Sequence, residues 1–269
     1  MKSRLLKIVT IIQARLGSTR LPGKILYEAA GKSILLNMYE RVRSSRLAGT
    51  IVIATTNETE DNVIYDLCKL NGINCFRGST NDLLERHYKA ALLFSADVVI
   101  KIPSDCPLID PEVIDKVIEY YISNRYEYDY VSNLHPQSYP DGNDVEVFSF
   151  NALYKAHKEA IKDYEREHTT PYIWNNPDKF NIGNVQWENG MDLSLSHRFV
   201  LDYREDFEFI KTVYEHLYTV DPKFTLYDIL DLLNVYPYMN EINSHLRGNS
   251  WYKKYEREFK TGNIQLQHL

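Results

Sequence analysis

From residue 5 to residue 123 the chain alternates between apolar runs of strand length and stretches whose apolar residues recur at helical spacing. The runs are Leu5–Ile12, Ile51–Thr56, Ile73–Phe76 and Val98–Ile102, mostly rich in β-branched residues. After the first run come Ile34, Leu35, Met38 and Val42, behind Ser33 as an N-cap. After the second come Val63, Ile64, Leu67 and Leu70, behind Thr59 as a cap, with Glu60 and Asp61 in a first turn that favours anions. Leu84, Tyr88, Ala91 and Leu92 follow the third. Val113, Ile114, Val117, Ile118 and Tyr121 follow the fourth, with Asp110 before Pro111 as a cap. Strands alternating with helices of this length predict an α/β fold with a doubly wound, mostly parallel sheet.

The first run ends abruptly in Gln13-Ala14-Arg15 and opens into a loop that reaches Leu26. The loop carries the cations Arg15, Arg20 and Lys24. Gly17, Ser18 and Thr19 let the backbone approach a ligand and point N–H and hydroxyl groups at oxygens. Pro22-Gly23 makes a turn that presents Lys24 at a fixed place. A strand running into a cationic, glycine-containing loop is how open α/β sheets hold polyphosphates. Neither G-x-x-x-x-G-K-[S/T] nor G-x-G-x-x-G is present. The plain alternative is a solvated basic loop after a core strand.

With 269 residues, the chain is long enough for one α/β domain, or one domain with a lobe. A formal charge of −6 argues against a nucleic-acid or anionic-membrane surface. Against that background the basic loop calls for a small polyanion. Three cysteines without a C-x-x-C argue against a disulfide framework or a zinc site, and Cys68 and Cys75 read as reduced interior residues of a cytoplasmic protein. Cations before Ile8–Ile12 mimic a signal peptide. Lys7 interrupts that apolar run, however, and Arg15 stands where a cleavage site belongs. No apolar stretch approaches membrane-spanning length.

The stretch Gln13-Ala14-Arg15-Leu16-Gly17-Ser18-Thr19-Arg20-Leu21-Pro22-Gly23-Lys24 closely resembles the signature of the cytidylyltransferases that make CMP-activated sugar acids. CMP-Kdo and CMP-neuraminate synthetases belong to that group, and the resemblance is strongest to its spore-coat polysaccharide branch. It implies a Rossmann-like, GT-A-like nucleotidyltransferase fold, CTP as co-substrate and Mg²⁺ as cofactor. Ala14, Arg15, Gly17, Ser18, Arg20 and Lys24 would then hold the nucleotide.

Three further stretches match that pattern. Arg77-Gly-Ser-Thr-Asn-Asp82 opens a helix. Its bare reading is an N-cap, with Asn81 or Asp82 capping and Glu85 closing a capping box. In the family the matching segment borders the base and ribose, which makes Arg77, Ser79 and Asn81 candidates there. In Lys101-Ile-Pro-Ser-Asp-Cys-Pro107, Ser104 and Asp105 lie in a proline-bounded turn after a strand. A hard cation needs only one or two protein carboxylates when phosphates supply the other ligands. Asp105 matches the family's metal ligand, or is a turn aspartate satisfying local N–H groups. Ser196–Phe207 resembles the family's Arg…Asp-Thr-Pro-Glu-Asp element, with Arg198 and Asp202 at the matching positions and Tyr203 and Arg204 replacing Thr and Pro. Asp202 is then the second metal carboxylate, or a helix cap, and Asp206 sits in the first helical turn.

Beyond Ser123 the alternation loosens. Asn124–Tyr139 is polar and tyrosine-rich. Val145–Phe150 reads as a strand, Ala152–Ile161 as a helix, His168–Trp174 as a short helix, Phe180–Trp187 as a strand and Phe199–Leu201 as a brief strand. Phe207, Ile210, Val213, Tyr214 and Leu217 mark a helix, and Leu226–Val235 another. The tail Tyr252–Leu269 is charged and then polar, with little core signal. In the polar middle lie Asp141, Asn143, Asp144, Glu146, Arg166 and His168. Alternation points Asp144 and Glu146 to one face. These segments resemble the acceptor half of the spore-coat branch, where such groups would orient a polar acceptor. The alternative is solvated loop residues, or, for His168, a helix cap.

The expectation is one domain over 1–269: a nucleotide-binding half at 1–123, a smaller polar α+β lobe for the acceptor or for dimerisation at 124–195, and a return to the core at 196–269. The resemblance implies CTP-dependent transfer of CMP to a sugar acid, or to a phosphorylated or phosphonate acceptor, with release of pyrophosphate, in surface polysaccharide synthesis. Arg15, Lys24, Asp105 and Asp202 would carry the chemistry, on small-molecule substrates with neither nucleic acid nor membrane. Two other readings stand beside it. One is a glycosyltransferase using a nucleotide-sugar, although the spacing in Asp141–Asp144 is wrong for its D-x-D motif. The other is a non-catalytic nucleotide-binding partner. The stretch Tyr120–Tyr139 suits either a homodimer contact or a surface lobe.

Overall fold

The computed structural model describes residues 5–249. The predicted alternation is present in its first half. Strand β1 (Ile8–Gln13) leads through the cationic loop to a small hairpin, β2 (Glu28–Ala29) and β3 (Lys32–Ser33). Then follow α1 (Ile34–Ser44), β4 (Thr50–Thr56), α2 (Asn62–Leu70), β5 (Asn74–Gly78), α3 (Leu83–Leu93), β6 (Val98–Pro103) and α4 (Pro111–Ser123). Two capping assignments hold. Ser33 accepts a hydrogen bond from the Leu36 N–H, and Asp110 accepts one from the Glu112 N–H ahead of Pro111.

The second half adds β7 (Tyr130–Ser132), β8 (Glu146–Ser149), α5 (Phe150–Glu159), α6 (Asp163–His168), α7 (Pro171–Trp174) and β9 (Ile182–Asn184). It closes with α8 (Arg204–Leu217), α9 (Leu226–Val235) and α10 (Tyr238–Glu241). One seven-stranded sheet takes in strands from both halves, in the order β5-β4-β1-β6-β8-β7-β9. It is parallel from β5 through β6, and β8 is antiparallel to both β6 and β7. β1 lies between β4 and β6: the chain moves out on one side of β1 through β4 and β5, then crosses back to form β6 on the other side. That switch point opens a crevice at the carboxyl ends of β1 and β6.

Alternation along β1 splits the core into two layers. Ile12 packs on one face with Ile53, Ile100, α1, α4, α8 and α9. Val9 and Ile11 pack on the other with Val52, α3 and α5. Each fully buried Ile, Leu or Val in these layers contributes about 1.5–3 kcal/mol of transfer free energy, so the sheet is a rigid platform for the loops at its edge.

Four local expectations change. Thr59 does not cap α2. The chain enters through a 3₁₀ turn, Thr59–Asp61, and Asp61 turns inward. On α2 itself, Ile64 and Cys68 are the buried stripe, while Leu70 is 84% exposed and Val63 faces solvent. The expected helix His168–Trp174 is broken by Thr169 at φ 73, giving α6 before the break and α7 after it. Phe199–Leu201 is no strand. All three residues are buried, but their backbone bonds go to two loops, Phe199 N–H to the Asp141 carbonyl (2.6 Å) and Leu201 N–H to the Asp105 carbonyl (2.7 Å). Burial without a ladder produces the same apolar run as a core strand. The tail Tyr252–Leu269 lies outside the described residues.

Candidate active site

The cationic loop is fastened from beneath. The Leu16 N–H donates to Asp61 Oδ1 (2.8 Å), and the Leu16 carbonyl accepts from the N–H groups of Ser18 (2.7 Å) and Gly23 (3.0 Å). Asp61 also accepts from the Thr56 hydroxyl, which ties the loop to the end of β4. Gly23 takes φ +67 and starts a 3₁₀ turn at Lys24. Ala14 is buried, Ser18 is half-buried, and Arg15, Gly17 and Arg20 are exposed. Nothing lies within 4 Å of the position a Gly17 Cβ would take, so the loop faces open space there.

Lys24 is 8% exposed. Its Nζ donates to the Leu201 carbonyl (2.5 Å) and to Asp202 Oδ1 (2.9 Å), and lies 3.7 Å from Asp105 Oδ2. Arg20 Nη2 reaches the same Asp202 oxygen at 2.6 Å. Three stretches far apart in sequence therefore meet: the loop after β1, the turn after β6, and the irregular segment before α8. The Leu201–Asp105 backbone bond joins the last two directly.

Asp202 is held by a group read from the sequence only as part of a helical turn. Asp206 Oδ2 accepts from the N–H groups of Asp202 and Tyr203 (both 2.9 Å). Both Asp206 oxygens also fork onto Arg198, at 2.8 Å to Nε and 3.0 Å to Nη2. Arg198 is 1% exposed and further contacts Asp141 Oδ2 (3.2 Å) and Asp202 Oδ2 (3.7 Å). Asn243 donates to Asp206 and to the Arg198 carbonyl. Tyr203, where the family pattern has Thr, lies against both the Arg20 and Arg198 guanidiniums, 5.6 Å and 5.9 Å from its ring centre.

The carboxylates crowd one another. Burial pushes the Asp105 carboxyl up, Lys24 opposes the rise and Asp202 adds to it. Asp141 is pushed up to about 7, chiefly by burial against the pull of Arg198, with Asp105, Asp202 and Asp206 adding to the rise. Burial, then Asp141 and Asp105, raise Asp144 well above the usual carboxylate range, and its Oδ1 is buried without a hydrogen-bond partner. Among the described residues no group of three or more His, Cys, Asp and Glu is arranged to hold a metal unaided. Asp105 and Asp202 nonetheless fit a hard divalent cation that takes its other ligands from phosphates. They are oxygen donors on either side of one ammonium, and their mutual repulsion would be relieved by added positive charge.

The other predicted residues fall into two groups. Asn143 is buried and braces the 141–144 turn, accepting from the Asp110 N–H (3.1 Å) through Oδ1 and from the Asn133 amide (2.7 Å) through its carbonyl. Ser104 is half-buried in the turn beside Asp105. Away from the acidic cluster, Arg77 bridges β5 to the end of β4, donating to Thr56 O, Glu58 O and Asn62 Oδ1. Ser79 accepts from the Asp82 N–H, Asp82 caps α3 through the Glu85 N–H, and Asn81 is exposed. Glu146 is buried against Lys101 and the Tyr130 hydroxyl (2.6 Å). Burial raises its carboxyl, and Lys101 with hydrogen bonds from Thr170 and Tyr130 more than reverses that. Arg166 is bound to Asp82 through Nε (3.0 Å) and Nη2, and His168 is half-buried in the last turn of α6.

A mostly parallel sheet with a cationic loop at its switch point, facing the paired carboxylates Asp105 and Asp202, fits a nucleotidyltransferase of the open α/β kind. A family model described as Cytidylyltransferase matches residues 9–236. The chain belongs to the cytidylyltransferase family. It is 38% identical over 248 residues to an uncharacterized protein of Methanocaldococcus jannaschii, covering 91% of this chain and 98% of the relative. It is 32% identical over 235 residues to the spore coat polysaccharide biosynthesis protein SpsF of Bacillus subtilis, covering 86% and 95%. A solved cytidylyltransferase from Leptospira borgpetersenii superimposes with a TM-score of 0.82 at 31% identity, covering 92% of this chain and all of that one. The chain is a nucleotidyltransferase, and its family supports CTP-dependent transfer of CMP.

Proposed function

We propose that this enzyme transfers CMP from CTP to a polar, anionic sugar acceptor, with Mg²⁺, in the synthesis of a surface polysaccharide. The acceptor class is a sugar acid or a phosphorylated or phosphonate relative. The observation that carries the reading is Lys24 held between Asp105 and Asp202 at the switch point. SpsF supports the polysaccharide assignment by its name.

Arg15, Arg20 and Lys24 bind the triphosphate, with Gly17 and Ser18 giving the backbone room to approach it. Asp105 and Asp202 would hold Mg²⁺, which when bound neutralises charge on the α-phosphate and the departing pyrophosphate. Arg198 and Asp206 hold Asp202 in register. Asp141 and Asp144 line the side from which an acceptor oxygen attacks in line, breaking the bond between the α- and β-phosphates. Such catalysis is positioning and charge stabilisation, and no side-chain nucleophile is needed. A cytoplasmic location belongs to the same reading. No described helix is long and apolar enough to cross a membrane.

The test joins a nucleotide screen to a turnover assay. CTP with Mg²⁺ should raise the melting temperature more than UTP, ATP or GTP. Pyrophosphate should appear with CTP and an acceptor from a sugar-acid and sugar-phosphate panel. Lys24→Ala should lower that release by about 100-fold or more. Equal stabilisation by all four nucleotides, or wild-type pyrophosphate release from Lys24→Ala, would overturn the assignment.

A further inference from the structure

Arg86 is a further buried cation, and its surroundings are unlike those of Lys24 and Arg198. It sits in the first turn of α3 and is 2% exposed. Its Nη1 donates to the Ser79 carbonyl (3.1 Å), while its Nε is buried with no hydrogen-bond partner. Its stem fits beneath Gly78, where a Cβ would come within 3.1 Å of Arg86 Cγ. A buried guanidinium is ordinarily matched by a carboxylate that takes its fork of donors. Arg86 has none. Burial weakens its basicity, to about 10, and the next largest influence is another cation, Arg15.

Two carboxylates offset this from a distance, Asp61 and Asp82, and both are engaged elsewhere. Asp61 accepts from the Leu16 N–H and the Thr56 hydroxyl. Asp82 accepts from the Glu85 N–H and takes Nε and Nη2 of Arg166. Gln13 supplies an independent sign of a missing occupant. It ends β1 on the face of Val9 and Ile11, which pack with Leu84 of α3, and its Oε1 is buried without a partner. Rotation of that amide presents an N–H₂ instead. A buried guanidinium with an unused donor and a second cation, the exposed Arg15, acting on it is a stored cost that an anion would remove.

We propose that Arg86, with Arg15, forms an anion subsite that takes one phosphoryl group of the nucleotide's triphosphate. This rests on the CTP reading of the same site and adds a residue from the helix after β5 to the loop cations. Arg15 is exposed to solvent, whereas Arg86 is buried. Arg86 offers the Nε that has no partner, on a planar guanidinium that matches phosphate geometry as a lysine cannot.

The experiment is calorimetric titration of wild type, Arg86→Gln and Arg86→Lys with inorganic tripolyphosphate, CTP, UTP, ATP and cytidine, together with melting of each ligand-free protein. A charged hydrogen-bonding pair removed from a bound phosphate corresponds to about a 10- to 100-fold loss of affinity. Arg86→Gln should show that loss for tripolyphosphate and CTP, with cytidine unchanged. Arg86→Lys should recover part of it. Ligand-free Arg86→Gln should melt at or above the wild-type temperature, because it removes an unmatched buried charge. A tripolyphosphate affinity unchanged in Arg86→Gln, or equal losses for CTP and cytidine with a lowered melting temperature, would overturn the subsite and mark Arg86 as structural. Arg86-dependent tripolyphosphate binding without any preference for CTP among triphosphates would uphold the subsite while removing the cytidine reading.

Discussion

At the scale of single residues, the arrangement turns on two buried charges whose roles differ from their apparent ones in sequence. Lys24 follows a Pro-Gly turn and reads as a loop cation presented at a fixed place; it is buried because Leu201 and Asp202 fold over it. Asp206 reads correctly as a first-turn acid, since it accepts from the Tyr203 N–H at the start of α8. Its larger task, the fork onto Arg198, was not legible, because nothing in the spacing from Arg198 to Asp206 marks an ion pair across an irregular segment. Breaking one partner out of a buried pair costs about 3–5 kcal/mol. Asp206→Asn should therefore lower stability to urea by about 3 kcal/mol and reduce pyrophosphate release, since Asp202 loses the acceptor that fixes its backbone. A urea midpoint within error of wild type would show that Asn243 and Asp141 suffice to hold Arg198.

At the scale of elements, the strands and helices of the first half were legible because their periods differ so clearly. Each crossover helix has a buried face repeating every three to four residues, and each strand is nearly continuous and apolar. The reading failed where apolar residues are buried without regular backbone pairing. Phe199–Leu201 is the main case, held to the turn at 141–142 and to the loop at Asp105. That contact demands a glycine on one side. Gly142 has φ +111, and a Cβ there would lie 2.6 Å from the Phe199 carbonyl carbon and 2.7 Å from the Val200 nitrogen. Gly142→Ala should cost about 2 kcal/mol or more through the clash and the disfavoured backbone. It should also depress turnover more than nucleotide affinity, because it displaces the segment bearing Asp202 rather than the loop after β1. Thermal melting and the separation of kcat from the CTP KM check this; unchanged melting would mean that the two segments can part without loss.

At the scale of the whole molecule, the sequence revealed which stretches matter but not how the second half joins the first. The resemblance named Asp105 and Asp202; the sheet order brings the end of β6, and so Asp105, beside β1, and the Leu201–Asp105 backbone bond brings Asp202 to it. The polar middle proved harder to read, because Glu146 and Arg166 are matched within the protein by Lys101 and Asp82. A global response to acid follows from the buried imidazoles. His87 is fully buried, and burial holds it down to about 3; His135 is held at about 4 for the same reason. The unfolded chain takes up these protons near 6.5 while the folded chain does not. Their contribution to stability is thus complete above about pH 6.5 and is lost as pH falls toward 3 to 4. Asp141, raised to about 7, acts in the opposite sense between about 4 and 7. His87→Gln isolates one imidazole: the fall in urea midpoint between pH 7 and pH 4 should be smaller than in wild type. Parallel pH profiles for the two proteins would show that His87 accepts its proton without unfolding.

The ammonium of Lys24 finds its carbonyl and carboxylate partners 177 and 178 residues further along the chain. Synthesis runs from the amino end, so the sheet from β5 to β6 emerges from the ribosome well before Leu201 exists. A nascent or prematurely ended polypeptide therefore carries the whole glycine-containing loop and yet lacks one jaw of the clamp around it. The carboxylate side of the Lys24 site is assembled only once residue 202 has been made, long after the loop that it closes upon.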